Sequence, residues 1–204
     1  MDITIVIPVY NRKNVVQRTL DSIPSDYNMI IVDNGSTDGS YEFCRQWMLN
    51  SRRQNVMVER EFQPGASNAR NKGLSLCKTE WVYFFDSDDE FTGLPSVWNG
   101  DAELVCFPVN MTVNGKTSVR DYKPVGDAHV HILNSMLDTQ SMIFRTEWLR
   151  KIGGWNVECK VWNDWELGLR TLINKPRLQW ITDKVYQQVF VHDDSLTGRK
   201  LSDN

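Results

Sequence analysis

One stretch constrains this chain more than any other: Trp81-Val82-Tyr83-Phe84-Phe85-Asp86-Ser87-Asp88-Asp89-Glu90. Five apolar, β-favouring residues end abruptly in carboxylates. A short continuous apolar run bounded by turn residues reads as a strand buried on both faces, so it needs a packed layer on each side. In an open α/β sheet the C-terminal edge of such a strand is where ligands bind. In extended chain Asp86 and Asp88 point the same way, with roughly 6–7 Å between their Cα atoms. Four acids within residues 86–90 repel one another unless a cation sits among them. Oxygen-only ligands suit a hard cation such as Mg2+ or Mn2+, and Mg2+ recruits substrate phosphates as further ligands. A solvated acidic turn is the alternative reading of the same residues.

The residues before this stretch alternate between strand and helix patterns. Ile3–Ile7 reads as a strand closed by Pro8, and Asn14 as the cap of a helix carrying Val15, Val16, Leu20 and Ile23. Met29–Val32 is a second strand, followed by a turn-rich loop from Asp33 to Gly39 and a helix from about Ser40 to Asn50. Val56–Val58 is a third, followed by a helix through Ala69, Gly73 and Leu76. Three strand–helix units before a fourth strand predict a parallel α/β sheet with helices on both faces. After Glu90 the rhythm changes. Leu104–Phe107, Ser141–Phe144, Leu178–Ile181 and Val185–Val191 read as strands, and Asn114-Gly115 as a type I′ hairpin turn. Thr146 is placed as the cap of a short helix stopped by Gly153-Gly154, and Asp164–Ile173 as a further helix with one apolar face. The expectation is a single domain of two halves: residues 1–92 bind a nucleotide, and residues 93–204 complete the sheet and form the other wall of a cleft.

Composition excludes several classes. A net charge of -3 shows no basic excess for nucleic acid. Cys44, Cys77, Cys106 and Cys159 are scattered without a C-x-x-C pair, as in reduced, mostly buried thiols. No apolar run approaches the ~20 residues of a membrane span, and no apolar signal segment follows Met1-Asp2. The expected location is therefore the cytoplasm. The eight tryptophans are read mainly as core aromatics, with a ring-stacking surface as the alternative for those between Trp148 and Trp180.

In a parallel sheet the strand ends converge on one edge. They deliver Pro8, Tyr10 and Asn11, then Asp33, then Asp86-Ser87-Asp88. Asp33 can accept the imino N–H of a base, or simply start a turn. Tyr10 can stack on a base. Arg70 and Lys72 can neutralise phosphate, or lie on a solvated helix face.

Four ordered blocks then carry a resemblance: Ile7-Pro8-Val9-Tyr10-Asn11; Val32-Asp33-Asn34-Gly35-Ser36-Thr37-Asp38; Gly65-Ala66-Ser67-Asn68-Ala69-Arg70-Asn71-Lys72-Gly73; and Phe85-Asp86-Ser87-Asp88-Asp89. Together they resemble the inverting GT-A glycosyltransferases of the family 2 type. Met142-Ile143-Phe144-Arg145, Ile152-Gly153-Gly154-Trp155-Asn156, Asn163-Asp164-Trp165-Glu166 and His192-Asp193-Asp194-Ser195 match more weakly. The family's acidic pair before the acceptor helix is Glu-Asp; here it is Asn163-Asp164.

The resemblance implies a GT-A-like fold: a Rossmann-like, mostly parallel sheet flanked by helices, with a smaller mixed α+β acceptor half. It implies transfer from a nucleotide-diphosphate sugar, a UDP-sugar first among them, to a saccharide or lipid-linked saccharide acceptor. Pro8, Tyr10, Asn11, Asp33, Arg70, Asp86 and Ser87 would line the donor site. Asp88, with His192, would hold Mn2+ or Mg2+, and Asp164 would be the general base. A lipid-linked acceptor would bring peripheral contact with the inner membrane surface. Two rivals remain at this point. One is another phosphate-handling α/β enzyme, such as a nucleotidyltransferase or an Asp-nucleophile phosphatase, although Glu90 stands where the latter's D-x-D-x-T needs Thr. The other is a non-catalytic nucleotide-sugar-binding protein. G-x-G-x-x-G, the dinucleotide fingerprint, is absent.

Overall fold

The computed structural model describes residues 2–121, 128–133, 135 and 137–191. Its main sheet begins with four parallel strands. β1 (Ile3–Val9) and β4 (Trp81–Phe84) lie side by side, and β2 (Asn28–Asp33) and β3 (Val56–Arg60) extend the sheet beyond β1. Alternation sorts their side chains into two cores. Ile3, Ile5, Ile7, Val9, Trp81, Tyr83 and Phe85 face one layer, and Val6, Val82 and Phe84 the other. Burying each such aliphatic or phenylalanine side chain is worth roughly 1.5–3 kcal/mol, so this register is strongly preferred over a one-residue slip, which would exchange the two faces.

Pro8 does not close β1. The strand runs on to Val9, with Pro8 opposite Val32 of β2. The reason lies in the ladder. Val9 C=O accepts from Asn34 on the β2 side, whereas Val6 C=O accepts from Phe85 on the β4 side. By alternation the missing N–H of Pro8 faces the β4 side, where β4 has already ended, so no ladder bond is lost.

The helices cover both faces. α1 (Val16–Ser22) follows β1, α2 (Ser40–Ser51) follows β2, and α3 (Ala66–Leu76) follows β3. Asn14 does not cap α1. The helix starts at Val16, and the entering turn is closed by the backbone, with the N–H groups of Val15 and Val16 donating to Arg12 C=O. α3 lies directly against β1, and Gly73 makes this possible: a Cβ there would sit 2.2 Å from Cγ1 of Val6.

The second half completes the sheet as expected, but not by simple continuation. β5 (Leu104–Cys106), β8 (Met142–Arg145) and β9 (Leu178–Trp180) join in the order β3-β2-β1-β4-β8-β5-β9. β8 is wedged antiparallel between β4 and β5. β6 (Val109–Val113) and β7 (Lys116–Arg120) form the expected hairpin, with Asn114 at φ 50° and Gly115 at φ 74°, as a type I′ turn needs. The hairpin leaves the main sheet and makes a separate one with β10 (Tyr186–Val191). α4 (Ala128–Leu133), which the sequence pattern did not suggest, packs on α6 (Asn163–Ile173). α5 (Thr146–Lys151) begins at Thr146, with Arg145 rather than Thr146 in the cap position. Gly153 and Gly154, both at positive φ, end the passage beyond it. Cys44, Cys77 and Cys106 are buried free thiols, and Cys159 is a half-buried one. Trp148 and Trp155 are core residues, while Trp162 is 56% exposed.

Gly73→Ala is expected to destabilise the fold by about 1–3 kcal/mol through overpacking against Val6. Thermal denaturation should show a drop of roughly 2–12 °C in Tm, and an unchanged Tm would contradict the close α3–β1 approach.

Candidate active site at the C-terminal edge of the sheet

The loops after β1 and β2 are sewn together. Asn11, at φ 50°, donates its N–H to Ser36 Oγ at 2.9 Å, and its Oδ1 accepts from Thr37 N–H at 2.9 Å. Arg12 N–H donates to Ser40 Oγ. Pro8 lies at the last ladder positions of β1, and Tyr10, just beyond, is exposed. Asn34 ties in the next loop: its Nδ2 donates to the carbonyls of Glu61 and Gln63, and its Oδ1 accepts from Gly65 N–H. Hence the entry to α3 is positioned by a residue at the end of β2.

Asp33 is fully buried at that end. Its Oδ2 accepts from Ser36 N–H at 3.2 Å and lies 3.9 Å from Arg60 Nε. Its Oδ1 has no partner among the described residues. Both the turn role and an open acceptor are therefore present in one side chain. A buried carboxylate oxygen without a partner is costly, and a ligand N–H would relieve that cost.

The acidic stretch is not extended. Asp89 N–H donates to Asp86 C=O, closing a turn over Asp86–Asp89, so Asp86 and Asp88 do not project in parallel. This overturns the two-apart geometry expected from the sequence, because β4 ends at Phe84. Asp86 is held at both oxygens, by Arg70 Nη2 at 2.7 Å and Gln140 Nε2 at 2.7 Å. Asp89 is held at both of its own, by Phe190 N–H at 2.7 Å and Gln140 Nε2 at 2.8 Å. Burial, followed by the charges of Asp86 and Asp88, pushes the Asp89 carboxyl well above the usual range. Asp88 faces elsewhere, with Arg12 Nε at 3.4 Å. Ser87 is buried in the turn.

Arg70 lies on neither a solvated helix face nor an open surface. It is buried, its guanidinium stands 4.4 Å from the Trp155 ring centroid, and its Nε and Nη1 have no hydrogen-bond partner among the described residues. Lys72 is half-buried. Among the described residues no group of three or more His, Cys, Asp or Glu side chains could hold a metal. The donor set still fits a hard divalent cation that takes one or two protein carboxylates and completes its shell with phosphate and water, and Asp88 is a carboxylate of the right type for that role. His192, with Asp193, Asp194 and Ser195, lies outside the described residues.

Asp164 stands in the first turn of α6 and does not cap it. Trp162, at φ 58°, occupies the cap position, and the Asp164 carboxylate accepts from Trp165 N–H at 2.8 Å. Asn163 reaches Ser67 Oγ on α3, so the start of α6 abuts the start of α3. Glu166, a neighbouring acid, is tied to Arg170 through both oxygens. Asp138, just before a single 3-10 turn (Thr139–Ser141), is buried and lies 2.6 Å from Arg120 Nε. Burial pushes the Asp138 carboxyl up to about 7; Arg120 pulls it down and Asp164 pushes it further up. Asp138 therefore senses Asp164, while Gln140, two residues on, bonds the acidic turn. The two carboxylate centres of the resemblance are thus linked by one short segment. Sequence reading did not find Gln140, Asn34 or Arg12 as site residues. Only Asn34 had a local signal, its place in the turn-rich loop.

Comparison with known proteins finds similarity to glycosyltransferases. Residues 4–97, just under half of the chain, match the family model described as Glycosyl transferase family 2. Among curated relatives, Glycosyltransferase GlyG of Streptococcus pneumoniae serotype 4 is 36% identical over 91 residues, covering 43% of this chain and 30% of GlyG. The chain spans less than a third of the length of the first curated relatives that it matches. The fold is that of S. aureus TarS 1–349, solved in complex with UDP-GlcNAc (TM-score 0.74, 18% identity, 97% of this chain and 61% of that one). It is equally that of the mannosyltransferase PcManGT from Pyrobaculum calidifontis, solved with GDP-Man and Mn2+ (TM-score 0.71, 17% identity, 98% and 60%). The family model, GlyG and PcManGT are each named as glycosyltransferases.

The raised Asp138 carboxyl makes a pH prediction. An acid whose folded pKa lies above its unfolded value of 3.8 binds its proton more tightly in the native state, so its contribution to stability falls as pH rises from about 4 through about 7. The stability of wild type relative to Asp138→Asn should therefore decline by about 2–4 kcal/mol across that window and be flat above it. Denaturant titrations of both proteins at pH 5 and pH 8 measure this, and a pH-independent difference would refute it.

Proposed function

We propose that this chain is the donor-binding and catalytic core of a glycosyltransferase that moves a sugar from a nucleotide-diphosphate sugar to an acceptor hydroxyl with inversion. The observation that carries the reading is the placement at one sheet edge, on either side of β1, of Asp33, with a buried oxygen unpaired among the described residues, and the Asp86–Asp89 turn. Both lie within the segment that matches the family.

In this reading Asp33 Oδ1 accepts the imino N–H of the base, and Tyr10 and Asn11 line the base and ribose. Asp86, clamped by Arg70, and Ser87 face the ribose or the sugar. Asp88 holds the divalent cation, Mn2+ or Mg2+, and His192 completes that site. The cation, when bound, neutralises the diphosphate and makes it a competent leaving group. The acceptor oxygen attacks the anomeric carbon while the carbon–oxygen bond to the diphosphate breaks. The nucleoside diphosphate leaves with the bonding electrons, and Asp164 takes the hydroxyl proton. A carboxylate in the first turn of α6 is the type of group that serves as general base toward a sugar hydroxyl.

The complexes of TarS with UDP-GlcNAc and of PcManGT with GDP-Man and Mn2+ support a nucleotide-sugar donor and a divalent cation, with a UDP-sugar first among the candidates. The acceptor proposed is a saccharide or lipid-linked saccharide in polysaccharide or glycoconjugate biosynthesis. Among the described residues no helix is long and apolar enough to cross a membrane. The location proposed is cytoplasmic, with peripheral contact at the inner membrane surface where the acceptor is lipid-linked.

Two experiments test the reading. In a thermal-shift panel of UDP-, GDP- and dTDP-sugars with and without Mn2+, the true donor should raise Tm in a Mn2+-dependent way. Asp33→Ala should weaken its binding by about 1.5–3 kcal/mol, the range for hydrogen bonds to charged groups; equal affinity would remove Asp33 from the site. Asp164→Asn, measured for transfer rate and Tm side by side, should lose about 10²–10⁴-fold in turnover at nearly unchanged stability and donor affinity. Near-normal transfer excludes Asp164 as the base.

A further inference from the structure

We infer that Gln140 is the positioning residue of the donor site, bridging Asp86 and Asp89 so that the acidic turn holds one shape for the cation and the diphosphate. The inference rests on the donor-site reading above and goes beyond it.

Gln140 is buried in the 3-10 turn that leads into β8. β8 pairs antiparallel with β4, Tyr83 opposite Ile143, so Gln140 arrives beside the C-terminal end of β4. Its own carbonyl accepts from Tyr83 Oη at 2.7 Å, which anchors its backbone to that strand. Its side-chain amide then donates both protons, one to Asp86 Oδ2 and one to Asp89 Oδ2. The orientation of the amide is unambiguous, because the opposite flip would set its oxygen against two carboxylates.

The consequence is a chain of contacts from Phe190 N–H through Asp89, Gln140 and Asp86 to Arg70. All four oxygens of Asp86 and Asp89 are occupied along it. Asp88, between them in sequence, is turned away towards Arg12. The residue type matters. A carboxylate at position 140 would add a third like charge. A lysine or arginine would neutralise the turn and oppose a divalent cation. A neutral amide satisfies two acceptors and adds no charge of its own to the turn.

The test compares wild type, Gln140→Glu, Gln140→Met and Asp88→Ala by calorimetric titration with UDP and GDP, with and without Mn2+, and with uridine and guanosine as phosphate-free probes. Wild type is expected to bind a nucleoside diphosphate in a Mn2+-dependent manner. Gln140→Glu and Gln140→Met are expected to weaken that binding at least tenfold and raise half-saturating Mn2+, approaching Asp88→Ala, while nucleoside affinity stays within about twofold. A purely structural role would lower Tm and the competent fraction, leaving the Mn2+ dependence of the folded fraction unchanged, and that result overturns the inference. Gln140→Met keeps the length and apolar stem of the side chain and is scored alone if Gln140→Glu does not fold. Diphosphate binding equal to wild type in both variants overturns the inference while leaving the donor site intact. Absence of Mn2+-dependent binding in wild type overturns the donor-site reading and this inference with it.

Discussion

The structure depends on how like charges are held together at the end of β4. Asp86, Asp88 and Asp89 crowd one turn, and Asp89 is almost wholly buried. Left unpaired, such groups would cost several kcal/mol each. The fold meets this cost from three directions, with Arg70 from α3, Gln140 from the approach to β8 and Phe190 N–H from β10. The acidic turn is therefore a hub that requires both halves of the chain.

That requirement explains the arrangement of the second half. β8 must enter antiparallel for Gln140 to reach the turn from the side of β4. The small sheet of β6, β7 and β10 must close over the other side, which it does through reciprocal backbone bonds between Glu90 and Gln188. Arg18 of α1 adds a further tie, its guanidinium 4.4 Å from the centroid of the Phe190 ring. The two halves of the chain thus share the packing around the site.

The first half was highly legible. Its strands are short apolar runs that can be stable only when covered on both faces, and its helices follow each with a clear stop. Asp33 and the acidic stretch were found because strand-end polarity after an apolar run is a local signal. Errors arose where a local preference met a tertiary alternative. Asn14 is a good cap by type, yet Arg12 C=O closes that turn. Pro8 looked like a strand end, but the ladder has no partner for the bond it lacks. For Arg70 the sequence left a phosphate role and a solvated helix face open, and the helix turns it inward onto Trp155 and Asp86.

What the sequence by itself determined was the set of residues that must be buried, the alternation that sorts them to two faces, and the places where polar residues emerge at strand ends. These follow from periodicity within a few residues. What only the tertiary structure decided was which groups clamp Asp86 and Asp89. Gln140 meets Asp86 across 54 positions, and Asp138 shares its surroundings with Asp164 and Arg120, because β8 is inserted beside β4 and α4 lies on α6. No local pattern encodes such meetings. They depend on strand order, which is settled by the packing of the whole core.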